Sequence, residues 1–83
     1  MKYELPSQYF ATKATVIEAQ NRKLKAHLLQ GRTIDPLQAL SWYGIMRLSA
    51  RIYDLRRQGM EIRTVRVKDR NKSYARYSLI TKN

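Results

Sequence analysis

Apolar residues recur along this chain at helical intervals in three successive stretches and then switch to alternation. Ile17, Leu24 and Leu28 fall on one side of a helix, with Arg22, Lys23 and Lys25 on the other. Thr15-Val16-Ile17-Glu18 has the spacing of a capping box, so the pattern predicts a first helix from Val16 to Gln30, closed at Gly31. Asp35-Pro36-Leu37-Gln38 is a second start signal. Aspartate caps, proline takes the first helical position where its missing N–H costs nothing, and Gln38 can return a bond. Leu37, Leu40 and Tyr43 (or Trp42) are the expected buried stripe of this helix, which Gly44 breaks. A third helix, from Ile45 or Met46 to Gln58, has the clearest period: Ile45, Leu48, Ile52 and Leu55 share one face. That face is a core face, and Gly59 closes the helix. Arg32 to Ile34, between the first two helices, has room for a connector or one short strand.

After Gly59 the period falls to two. Ala75, Tyr77 and Leu79 alternate with Tyr74, Arg76 and Ser78, which predicts strands over Glu61–Lys68 and Ser73–Ile80 joined by Asp69-Arg70-Asn71-Lys72. Ile62 and then Val65 and Val67 change parity, which predicts a bulge near Thr64. Met1 to Ala14 shows no clear period and contains Pro6 and Ser7. It is expected to form an arm, extended or partly ordered, whose Tyr3, Tyr9 and Phe10 pack on the body or on a second copy. The domain organisation is thus an arm over 1–14 and one folded unit over 15–83. Its class is mainly α with a β-hairpin.

Charge changes this picture most. Seventeen Lys and Arg against six acids give a net charge of +11, a field of one sign that attracts phosphate polyanions. From Arg47 onward the basic residues are Arg47, Arg51, Arg56, Arg57, Arg63, Arg66, Lys68, Arg70, Lys72, Arg76 and Lys82, against Asp54, Glu61 and Asp69. The apolar share of 43% with 28% charged residues fits one folded soluble domain, and 83 residues leave little space for an enclosed pocket. Cysteine is absent, which excludes disulfides and thiolate metal sites. With no apolar run of membrane-spanning length and no signal peptide at the start, a cytoplasmic protein is expected.

Three helices followed by a basic hairpin is the arrangement of a winged helix-turn-helix. A helix fits the DNA major groove, and arginine can pair with guanine O6 and N7 together. On the third helix the face opposite the core stripe is centred near Ala50, Asp54 and Arg57, with Met46, Arg47 and Tyr53 beside it. The candidates for DNA contact are Met46, Arg47, Ser49, Ala50, Tyr53 and Arg57. Arg47 is the first candidate for a base contact, Ser49 and Ala50 permit close approach, and Tyr53 and Arg57 suit the backbone. In the wing, Arg66, Lys68, Arg70, Lys72 and Arg76 would neutralise phosphates of the backbone or minor groove. Arg51 and Arg56 flank the core stripe, where pairing with Asp35, Asp54 or a carbonyl competes with DNA contact.

The run from Gln20 to Leu79 also resembles a small winged helix-turn-helix domain family of phages and prophages. The resembling residues are Gly31-Arg32, Asp35 to Leu40, Gly44-Ile45, Arg47-Leu48, Arg51 to Arg56, Gly59 to Ile62 and Ala75 to Leu79. The resemblance implies a DNA-binding fold without naming an operator or a pathway. The expected function is sequence-specific binding of double-stranded DNA by a transcriptional regulator or recombination accessory factor, with a homodimer through the arm or first helix.

Two rivals stand beside it: a module that binds and inhibits an acidic host protein, and RNA binding with Tyr53 and Tyr74 stacking on bases. No cofactor and no metal are expected, because His27 stands alone and reads as a helix-surface residue. No phosphate loop, nucleophile elbow or acid pair suggests an enzyme.

Overall fold

The computed structural model describes the backbone from residue 7 to residue 80 and side chains from residue 15 to residue 80. The elements run α1 (Ser7–Leu29), α2 (Pro36–Tyr43), α3 (Leu48–Arg57), β1 (Ile62–Asp69) and β2 (Lys72–Leu79). The architecture is therefore three helices followed by a two-stranded antiparallel hairpin.

α1 begins at Ser7 and not near Val16, and it ends at Leu29, close to the expected stop. Thr15 lies inside the helix, so the capping box read from the sequence is not its start. The stretch from Ser7 to Ala14 has neither glycine nor proline to oppose a helix, and only its lack of an apolar period had suggested an arm. The arm's remaining residues, with Tyr3, and the packing expected of Tyr9 and Phe10 lie outside the described residues and side chains. Leu24 and Leu28 are fully buried, as their spacing predicts.

α2 starts as its sequence dictates. Gln38 N–H donates to Asp35 Oδ1 at 2.8 Å, and Asp35 N–H donates to Gln38 Oε1 at 3.2 Å. Its buried stripe is a different one, however. Ala39 is fully buried and Tyr43 half-buried, whereas Leu37 is 73% and Leu40 48% exposed. Trp42, the alternative member of that stripe, is half exposed. Gln38 and Ser41, three residues apart, mark a polar side, and Ala39 and Tyr43 lie opposite it. The bulkier Leu37 and Leu40 had drawn the expected stripe away from that side.

Gly44 turns the chain at φ 67°, a left-handed conformation that glycine adopts without a Cβ penalty. α3 starts after that turn and two or three residues later than expected. Its stripe is correct: Ile45, Leu48, Ile52 and Leu55 are all buried. Gly59 at φ 98° ends it, with Met60 N–H reaching Leu55 O at 3.2 Å and Gly59 N–H reaching Arg56 O at 3.0 Å, a Schellman closure.

In the hairpin, Ile62 pairs with Leu79 and the register runs unbroken to Asp69 opposite Lys72. The bulge expected near Thr64 is absent. The parity change has another cause. Ile62 and Tyr77 lie on the face that meets the helices, while Val65 and Val67 lie on the other face, beyond the reach of the core. Ile34 adds one bridge to Tyr77, through bonds of 3.0 and 2.8 Å, so the connector forms the short strand-like contact that its length allowed.

The core joins Leu24, Leu28, Ile34, Ala39, Ile45, Leu48, Ile52, Leu55, Ile62 and Tyr77. His27 belongs with them. At 1% exposure it is buried, not the surface residue that an isolated histidine suggested. Its Nε2 lies 2.8 Å from Thr33 O and its Nδ1 2.7 Å from the Tyr43 hydroxyl. A carbonyl can only accept, so Nε2 donates to Thr33 O while Nδ1 shares the second bond with the Tyr43 hydroxyl. One ring thus pins α1 to the connector and to α2.

Candidate nucleic-acid interface

The residues expected on the recognition surface come from two kinds of backbone. Met46 and Arg47 precede the helix, because the turn at Gly44 carries on into a bend; they are not on α3 itself. Arg47 is the N-cap. Its carbonyl accepts from Ala50 and Arg51 N–H at 3.1 and 3.3 Å, but its side chain caps nothing. That side chain is exposed, and Met46 beside it is 84% exposed. From α3 proper, Ser49 and Tyr53 are exposed and Ala50 is half-buried. The Arg57 guanidinium stands 5.8 Å from the centroid of the Tyr53 ring, a cation–π arrangement that presents the two as one unit.

The neighbouring arginines are occupied structurally. Arg51 Nε lies 3.1 Å from Asp54 Oδ2, which also accepts from Asn21 Nδ2 at 3.3 Å, and this links α3 to α1. Arg56 Nη2 donates to Ile62 O at 2.6 Å and to Thr64 Oγ1 at 2.8 Å. It holds the root of the hairpin against the end of α3. The structural pairing weighed for both residues is what the fold uses.

The hairpin divides its charge. Period two places Arg66 and Lys68 on the face shared with Ile62 and Thr64, and Lys72 and Arg76 on the opposite face. Arg66, Lys68, Arg70 and Lys72 are exposed. Arg76 is half-buried, with Nη2 3.5 Å from the Tyr74 hydroxyl. The sequence reading grouped all five as one wing surface; the fold brings together two on each side with Arg70 at the tip. It also left out Arg63, exposed and diagonal to Arg76 on the second face. Strand parity alone would have found it.

The tip is built on two residues, Arg70 and Asn71, between the paired Asp69 and Lys72. Arg70 sits at φ 56°. A two-residue hairpin turn with positive φ at its first position is ordinarily given glycine there. For an arginine this conformation costs roughly 1–2 kcal/mol.

Elsewhere the surface offers little chemistry. Among the described residues no group of histidines and acids could hold a metal ion, and no helix is long and apolar enough to cross a membrane. A groove of about 440 Å³ separates Pro36 and Leu37 from Tyr74 and Lys72.

Comparison with known families identifies the fold. Residues 19–82 fit the family model described as the winged helix-turn-helix domain. No curated protein and no solved structure matches the chain.

Proposed function

Because the chain belongs to the winged helix-turn-helix domain family, we propose that it binds double-stranded DNA, with α3 and its N-terminal turn in the major groove and the hairpin on the backbone or minor groove. One observation carries this reading. Among the described residues, two that break a local rule of backbone chemistry are arginines, one at the mouth of α3 and one at the hairpin tip. An N-cap favours Ser, Thr, Asp or Asn, yet it holds Arg47. The tip favours glycine, yet it holds Arg70. Both side chains are exposed. A charge kept at a conformational cost at both ends of one surface fits phosphate and base contact better than it fits stability.

Arg47, with Met46, Ser49, Ala50, Tyr53 and Arg57, would face the groove. Arg66, Lys68, Arg70, Lys72 and Arg76 would meet phosphates, the two faces of the hairpin straddling the backbone. The net charge of +11 supports fast, salt-sensitive association. The resemblance to phage and prophage domains supports a role as a small regulator or recombination accessory factor in the cytoplasm of a bacterial host. A second copy bound beside the first would raise affinity through paired half-sites.

Duplex binding measured across salt tests the proposal. With about six phosphates contacted, log affinity should fall against log salt with a slope near −5. Arg47→Ala and Arg70→Ala should each weaken binding, and excess RNA should compete poorly. A flat salt response, or RNA competing as well as DNA, would sink it. Genomic neighbours separate the two roles: an adjacent integrase points to excision, an adjacent divergent promoter to regulation.

A further inference from the structure

Beyond Ile62 the outer edge of β1 is open, and the hairpin register shows which groups it leaves unpaired. Ile80 N–H donates to Glu61 O at 2.9 Å. Bonded pairs alternate along an antiparallel ladder, so Arg63/Ser78, Val65/Arg76, Val67/Tyr74 and Asp69/Lys72 are the bonded ones. The exchange of both bonds between Tyr77 and Ile34 agrees, since it requires Tyr77 to face outward. On β1 the outward residues are therefore Ile62, Thr64, Arg66 and Lys68. Ile62 O already accepts from Arg56. Among the described residues no backbone group of another element bonds Thr64, Arg66 or Lys68 from outside. The outer edge of β2 differs, being bonded by Ile34 and flanked by Asp35, Pro36 and Leu37.

We propose that the free edge of β1, from Thr64 to Lys68, receives an extended acidic polypeptide segment as an added strand. Side chains define the sequence it would take. Residues paired opposite Thr64, Arg66 and Lys68 point their N–H and C=O at β1 and their side chains to the face of Arg66 and Lys68. Those positions suit Asp or Glu. The intervening residues lie beside Val65, 45% exposed, and half-buried Val67 on the other face, and those positions suit apolar side chains. Acid and apolar residues alternating is the complement of this edge.

A second copy fits less well than an acidic segment: antiparallel pairing of two β1 strands centred on Arg66 would set Arg66 against Arg66, which like charge opposes. The edge thus favours an acidic partner over a second copy, binding by strand addition. Arg66 and Lys68 are shared with the proposed phosphate-contacting wing, so peptide and DNA would compete for them, but strand addition does not require DNA binding.

The test uses the full chain, labelled for amide NMR, and a blocked six-residue peptide alternating glutamate and valine. Amide exchange at Thr64, Arg66 and Lys68 should slow on peptide addition, while Val65 and Val67 change little. N-methylation of the peptide's glutamate amides, which face β1, should weaken binding at least about tenfold. N-methylation of its valine amides, which face away, should leave affinity within about twofold. Equal binding of the two methylated peptides would mean charge attraction without strand pairing and would overturn the proposal. So would no binding at millimolar peptide. Concentration-dependent protection of the same amides without peptide would assign the edge to a second copy, and would overturn it equally.

Discussion

Arg47 and Arg70 allow stability and binding to be pulled apart. Replacing Arg47 by Ser supplies the missing cap, and Arg47→Ser should raise stability by about 1 kcal/mol in denaturant unfolding. The same change should weaken duplex binding. Arg70→Gly relieves the left-handed backbone and should also stabilise by about 1 kcal/mol. Its binding signature should differ, with the salt slope shallower by about one and sequence preference unchanged, as expected for a phosphate contact. Tyr43→Phe works in the opposite direction. It leaves His27 Nδ1 buried without its partner and should cost about 1–3 kcal/mol while the DNA-facing residues stay in place. A Tyr43→Phe protein as stable as the parent would show that this bond adds nothing to the fold.

At the scale of elements, the helix periods were legible where apolar and polar residues segregate, and illegible where they do not. Ile45, Leu48, Ile52 and Leu55 could be read because charged neighbours mark the other side of α3. α2 was misread because its polar side is marked by only two residues, Gln38 and Ser41, opposite Ala39 and Tyr43, and the larger Leu37 and Leu40 outweighed them. Mutation separates the two possible faces. Leu37→Lys should change stability by no more than about 0.5 kcal/mol, whereas Ala39→Leu should cost about 1–3 kcal/mol by overpacking. The reverse ranking in thermal melts would restore the stripe that the sequence suggested. The start of α3 was misjudged by the same logic: Ile45 shares the core face of that helix but lies before it, carried there by the bend. For Arg56 a carbonyl partner was legible but not which one, because the groups it holds, Ile62 O and Thr64 Oγ1, come together only once the hairpin has folded back. Arg56→Ala should cost about 1–2 kcal/mol and should raise amide exchange in β1 before the rest of the core opens.

For the whole molecule, the anchoring of the hairpin has a mechanical consequence. Arg56 and the Ile34–Tyr77 bridge hold only its root, and from Val65 to Asp69 roughly 17 Å of ribbon runs on past them. That is a cantilever. Its tip, carrying Arg70, deflects far more easily than its base, and the groove toward Leu37 is the clearance on one side. A beam fixed at one end is a gauge that can settle to the local width of whatever it straddles, at small elastic cost. Stiffness then becomes a determinant of selectivity. A longer ribbon would tolerate a wider range of groove geometries, and a shorter one, or one wedged by a bulky side chain at Leu37, would accept fewer.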